Sequence, residues 1–155
     1  MPSQKLTPQQ ALQKIRQYCA YQERAHSEVK GKLYEYGLNR AEVEEAVSQL
    51  IQENYLNEER FAIQFAGGKF RMKKWGRTKI RYELKMRQVS EFCIRKALAS
   101  IDEDAYEQTL QDLFEEKKRL LKSERNIFIR KKKIQSHLLQ KGYETDRINA
   151  LLATL

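Results

Sequence analysis

Residues 68–87, GKFRMKKWGRTKIRYELKMR, gather the groups in this chain that could do chemistry. Lys69, Arg71, Lys73, Lys74, Arg77, Lys79, Arg81, Lys85 and Arg87 stand there against the single acid Glu83. On a helix, Lys69 and Lys73 lie one turn apart, as do Arg77, Arg81 and Lys85. Like charges so spaced cost roughly 0.2–0.5 kcal/mol per pair unless an anion offsets them. Ammonium and guanidinium groups in such a row bind a polyanion. The expected contact residues are Lys69, Lys73, Lys74, Arg77, Lys79, Arg81 and Lys85, on faces left free beside a buried Ile80–Leu84 stripe. Phe70, Trp75 and Leu84 are expected in the core. A second basic block, Arg130, Lys131, Lys132 and Lys133, is offset by acids earlier in its segment, such as Asp102, Glu103 and Asp104.

Other chemistries find no footing. Hydrolysis needs converging carboxylates, usually with a metal, whereas DEDAYE at 102–107 reads as an acidic first helical turn favoured by the helix dipole. No phosphate loop, nucleophile elbow or dinucleotide fingerprint occurs. AGGKF at 66–70 lacks the spacing of a phosphate loop, and Gly67 and Gly68 are expected to allow close helix packing or a kink. Cys19 and Cys93 sit within separate helical patterns and are expected to be buried free thiols. His26 and His137 are isolated, so spacing assembles no zinc site. The expectation is a chain with no catalytic residues, no metal and no cofactor.

The elements that must position the basic row are helices. Of 155 residues, 33% are charged and 41% hydrophobic, with two prolines and six glycines, and the abundant Ala, Leu, Glu, Gln, Lys and Arg favour helix. No run reaches the roughly 18 apolar residues of a membrane span, and the start lacks the apolar core of a signal peptide. A cytoplasmic protein is expected.

The chain also repeats. KLYEYGLNRAEVEEAVSQL from Lys32, ELKMRQVSEFCIRKALASI from Glu83 and HLLQKGYETDRINALLATL from His137 align without gaps, at spacings of 51 and then 54 residues. Leu33, Leu84 and Leu138 correspond; so do Leu38, Val89 and Tyr143, and Val43, Ile94 and Ile148. Ala46, Ala97 and Leu151, then Val47, Leu98 and Leu152, then Leu50, Ile101 and Leu155 complete the set, with Val29, Ile80 and Ile134 upstream. All are expected in the core. Asn39 with Glu42 reads as a capping box, and Ser90 and Thr145 are the expected caps of the later units. Longer amphipathic segments precede each piece, near 8–22, 58–75 and 104–122. These patterns predict an all-α fold: an elongated tandem array of three three-helix repeats, at 1–56, 57–101 and 102–155. The first repeat carries 7 basic and 7 acidic residues, the second 12 and 4, the third 11 and 10. The excess of +9 therefore lies almost wholly in the middle repeat.

Four stretches carry a family likeness. YCAYQERAHSEVKGKLYEYG at 18–37 holds Arg24, Ser27 and Glu28. YLNEERFAIQF at 55–65 holds Tyr55, Leu56, Asn57, Arg60, Phe61 and Ala62. WGRTKIRYEL at 75–84 holds Gly76, Lys79, Ile80, Glu83 and Leu84, and LLQKGYETDRI holds a Lys-Gly-aromatic turn. Together they resemble the bacterial regulatory protein RecX family, modulators of the RecA recombinase, over essentially the whole chain. Ala25-His26 departs slightly from the family pattern, and Gln88 stands where the turn usually has Gly. The resemblance implies tandem three-helix repeats, a monomer that binds in the groove of a RecA filament on DNA, and restraint of RecA's ATPase and strand exchange without catalysis. The basic middle repeat is then expected to face the filament's DNA or an acidic filament surface. The charge pattern by itself fits two rivals as well: a DNA-binding protein independent of RecA, and a helical adaptor for another acidic protein.

Overall fold

The computed structural model describes residues 5–155. Among them are nine α-helices and no strand. They run α1 Pro8–Tyr21, α2 His26–Glu35, α3 Arg40–Gln52, α4 Glu58–Lys73, α5 Arg77–Met86, α6 Glu91–Ala99, α7 Glu103–Leu120, α8 Ile127–Lys141 and α9 Thr145–Leu152. The all-helical expectation and the three-helix grouping both hold.

The repeat has a local physical cause. The second helix of each group ends in the same turn. Leu38, Val89 and Tyr143 donate their backbone N–H to the carbonyls of Leu33, Leu84 and Leu138, at 3.3, 3.1 and 3.2 Å. Gly37, Gln88 and Gly142 donate to Tyr34, Lys85 and Leu139, each at 2.9 Å. This paired bonding requires a left-handed residue at the helix end, with apolar side chains on either side of it. Gly37 (φ 94°), Gln88 (φ 61°) and Gly142 (φ 99°) supply the left-handed residue, and all six flanking side chains are buried. Gln88 thus keeps the turn that glycine would make, at a steric cost of about 1 kcal/mol or more. Gln88→Gly is expected to raise stability by about 0.5–1 kcal/mol, because relief of that strain exceeds glycine's added chain entropy. Urea denaturation measures it, and a loss of stability would show that Gln88's side chain makes contacts worth more than the strain.

Capping fixes the helix starts. Asn39 Oδ1 accepts from the Glu42 N–H and Glu42 Oε1 from the Asn39 N–H, both at 2.9 Å, as the capping box predicts. Ser90 Oγ accepts from the Cys93 N–H at 3.3 Å. Thr145 is not a cap: the capping position of α9 is Glu144, whose side chain makes no cap bond. The Glu144 carboxylate is engaged elsewhere, accepting from the Tyr106 hydroxyl and pairing with Arg147. Gly67 and Gly68 do not mark close helix packing. The atoms nearest a Cβ at Gly67 are those of the Arg71 guanidinium, and a Cβ at Gly68 would meet nothing within 4 Å.

By compactness the described chain divides into two units, one through Gln64 plus Leu84–Lys96, the other Phe65–Glu83 plus Ala97–Leu155. In the first, α1, α2 and α3 pack together around Ile15, Val29, Leu33, Val43 and Leu50. Cys19 and Cys93 are buried free thiols there, and burial pushes the Cys19 thiol up to about 11. In the second, α8 packs on α7 and α9. The rings of Phe70, Tyr106 and Tyr143 stack in sequence, with centroids 5.8 and 5.2 Å apart. Most aligned positions are core, but Leu151 and Leu155 are only half-buried. Leu151 occupies the place of Ala46 and Ala97, and a leucine extends beyond the space that an alanine fills.

Candidate polyanion interface

The basic row does not form one uniform face. Lys69 and Lys79 come together at Trp75, with their ammonium groups 5.2 and 4.6 Å from its ring centre. Trp75 is half-buried rather than core, because Phe65 meets it only edge-on, at 6.5 Å, and the lysines lie over the rest. Phe70, Ile80 and Leu84 are buried as expected, while Met72, Tyr82 and Met86 are exposed. Lys73 and Lys74 are exposed at the end of α4, and their carbonyls accept from Lys141 Nζ at 3.2 Å and the Tyr143 hydroxyl at 2.9 Å. Arg81 is half-buried. Lys85 is exposed, belongs to the other compact unit and lies 4.0 Å from Glu91.

Arg77 is the clear departure from an exposed row, since only 17% of its side chain is accessible. Its guanidinium lies 4.0 Å from the Tyr106 ring centre and pairs with Glu103 at 3.0 Å. It also donates to the carbonyls of Leu98 and Ile101 at 3.3 Å each. The reason lies in the preceding glycine. Gly76 N–H donates to the Lys141 carbonyl at 2.8 Å, which fixes the start of α5 against the α8 turn and aims Arg77 at the end of α6. Glu103 in turn is held below the usual carboxylate range by Arg147 first and Arg77 second.

In the third repeat, Arg130 is half-buried and donates to the Lys118 carbonyl at 3.2 Å. Lys131 is half-exposed, Lys132 and Lys133 are exposed, and Lys133 lies 4.0 Å from Glu124. What spacing could not supply is the company these residues keep. One hollow of about 260 Å³ is lined by Lys74, Leu113, Glu116, Lys117, Leu120, His137 and Lys141. A second, of about 320 Å³, is lined by Lys117, Lys132, Lys133, Ser136, His137 and Gln140. The two share Lys117 and His137, and together they bring five lysines against one acid. Lys117, His137 and Lys141 were absent from the expected set. Lys133 and Lys141 stand four residues either side of His137 on α8, a spacing the sequence does carry, whereas the approach of Lys117 and Lys74 comes from elsewhere in the chain.

Several residues that carry the family likeness hold the fold together. Arg60 bonds to Glu23 and to both Asn54 oxygens, while Asn57 caps α4. Arg24 donates to the Tyr18 carbonyl and lies 3.7 Å from that ring's centre. Ser27 donates to the Arg87 carbonyl at 2.8 Å. No group of three or more His, Cys, Asp or Glu able to hold a metal occurs among the described residues. No helix among them is long and apolar enough to cross a membrane.

Fold and surface together define a class: an all-helical protein of three-helix repeats that gathers lysines around shallow hollows. The family model for RecX, second three-helix domain, matches residues 57–98. Regulatory protein RecX of Prosthecochloris aestuarii is 30% identical over 145 residues, covering 94% of this chain and 93% of that protein. Regulatory protein RecX of Clostridium perfringens (strain 13 / Type A) is 32% identical over 133 residues; the match spans 85% of this chain but 62% of that relative's length. The crystal structure of RecX from Lactobacillus salivarius shares the fold with a TM-score of 0.85 at 20% identity, over 96% of both chains. The chain belongs to the RecX family of regulatory proteins.

Proposed function

We propose that this protein regulates RecA: as a monomer in the cytoplasm it binds RecA–DNA filaments in their helical groove and restrains ATP hydrolysis and strand exchange, with no turnover of its own. Family membership, drawn from the near full-length match to the Prosthecochloris protein, is the observation that carries this reading. The lysine-rich surface supports it, since a filament wrapped on DNA is polyanionic and association with it is steered by such charge. Lys69, Lys73, Lys74, Lys79, Arg81 and Lys85 remain the proposed contacts of the middle repeat, with Lys131, Lys132 and Lys133 a secondary basic patch in the third. Arg77 and Arg130 serve more by holding neighbouring backbone than by reaching outward.

RecA's DNA-dependent ATPase, measured with rising amounts of this protein, is expected to fall to a saturable plateau. Changing the exposed Lys73, Lys74 and Lys85 to Ala is expected to raise the half-effective concentration several-fold at moderate salt. The thermal transition should stay within about 0.5 kcal/mol of the parent, because exposed substitutions rarely do more. An ATPase unchanged at saturating protein would overturn the reading. Co-sedimentation with RecA–DNA filaments, against bare DNA and free RecA, separates filament binding from the two rival modes.

A further inference from the structure

We propose that the two adjoining hollows on α7 and α8 form a site for successive phosphate groups of a single nucleic-acid strand, with Lys117 and His137 in the shared wall. This extends the filament reading to direct contact with nucleic acid, and it is tested without recombinase so that either can fail alone.

Charge is the first ground. Lys74, Lys117 and Lys141 line one hollow and Lys132 and Lys133 the other, and Glu116 is the only acid in either wall. Ammonium groups gathered this closely repel one another, and an anion between them removes that cost. Outside both walls, Glu115 lies 3.9 Å from Lys118 and Glu124 lies 4.0 Å from Lys133, so of the five lysines Lys133 has an acid beside it. Shape is the second ground. Two hollows sharing a wall suit neighbouring phosphates of one chain rather than one isolated anion. Leu113 and Leu120 in the first wall offer apolar surface to a sugar or base, and Leu120 is 65% exposed.

His137 couples the site to pH. The groups facing it are Glu116 and Lys117 from α7, Lys74 from the end of α4, and Lys132, Lys133 and Lys141 along its own helix. Its pKa lies below the ordinary value, chiefly through burial and then through Lys117 and Lys141, with Glu116 opposing. In the free protein His137 is therefore neutral at neutral pH. A phosphate beside it reverses the effect of the two lysines and favours the imidazolium. Binding then takes up a proton, so affinity rises as pH falls toward the ordinary histidine value of about 6.5.

The test uses the full chain and a fluorescent dT 20-mer, with affinity read against salt and pH. Lys117→Ala with Lys141→Ala is expected to weaken binding about tenfold at low salt and to lower the salt slope by about 1.4, near 0.7 for each lost contact on a single strand. Lys30→Ala with Arg95→Ala removes equal charge from exposed positions outside the site and is expected to change little. His137→Gln is expected to retain binding at pH 8 while losing most of the gain on going to pH 5.5. Circular dichroism melts confirm that each variant is folded. The proposal is overturned if both double variants weaken binding equally, which would mean net charge alone acts, or if His137→Gln keeps the parent's pH profile. Displacement of the 20-mer by millimolar ATP or pyrophosphate would also overturn it, since the site would then take free phosphates. If strand binding responds as expected while RecA's ATPase is untouched, the filament reading fails and this one stands.

Discussion

Gly142→Ala is expected to destabilise the second unit by about 3 kcal/mol, although it adds no more than a methyl group. Gly142 closes α8 at φ 99°, and a Cβ there would fall 2.2 Å from Lys79 Cβ and 2.7 Å from Lys79 N. A side chain in the left-handed region costs roughly 1–2 kcal/mol, and overpacking against a fixed neighbour typically adds 1–3 kcal/mol. The neighbour cannot yield cheaply, because it is backbone. Thr78 N–H donates to the Gly142 carbonyl at 2.9 Å, and Gly76 N–H donates to the Lys141 carbonyl at 2.8 Å. Moving α5 aside breaks both. Gly76 is bound by the same approach, since a Cβ there would lie 2.3 Å from the Gly142 carbonyl oxygen. Thermal unfolding followed by circular dichroism should show a midpoint lowered by on the order of 10 °C. Gly31→Ala is the comparison: nothing lies within 4 Å of a Cβ there, and a helical alanine gains roughly 0.5–1 kcal/mol over glycine. Equal stability of the two variants would show that α5 and the α8 turn do not meet this closely.

Arg77→Ala is the second large effect, at about 2–3 kcal/mol of lost stability. The sequence placed Arg77 on an exposed binding face, where alanine should cost little. Its removal instead takes a donor from the Ile101 carbonyl, while the Leu98 carbonyl keeps the Ile101 N–H at 3.4 Å. Leaving one buried acceptor unsatisfied costs roughly 1–3 kcal/mol, and losing the stack on Tyr106 adds about 0.5–2 kcal/mol more, with partial relief from water. The salt bridge to Glu103 contributes less, because Glu103 is 57% exposed. Arg77→Lys should recover only part of the loss, since one ammonium cannot reach both carbonyls and lie flat on the ring. Denaturant unfolding of Arg77→Ala, Arg77→Lys and Lys73→Ala checks this: the first should be the least stable and the last indistinguishable from the parent. A neutral Arg77→Ala would restore it to the exposed row. The consequence for binding experiments is direct. A variant combining Arg77, Arg81 and Lys85 would lose affinity partly through its fold, so the charge test belongs on exposed lysines.

Much of this protein is local in its causes, and the sequence carries what is local. The turn that closes the second helix of each repeat needs a left-handed residue and two apolar side chains at fixed offsets. That requirement helped align Leu33 with Leu84 and Leu138, and with them the plan of three three-helix repeats. The capping box of Asn39 and Glu42 was legible for the same reason: both partners lie within one turn. Thr145 was misplaced because Glu144 answers to Tyr106, which lies 38 residues away. Arg77 was misread because spacing shows a helical face but not what covers it, and its partners at 98, 101, 103 and 106 lie on α6, on α7 and in the turn between them. The hollows around Lys117 and His137 were invisible for a related reason. Charge counted along the chain cancels the third repeat's lysines against acids such as Glu103 and Glu144, which the fold commits to Arg147. Residues thus set the helices and their ends through interactions of three to five positions, whereas which cations stay at the surface was decided by long-range contacts that only the tertiary structure brings together.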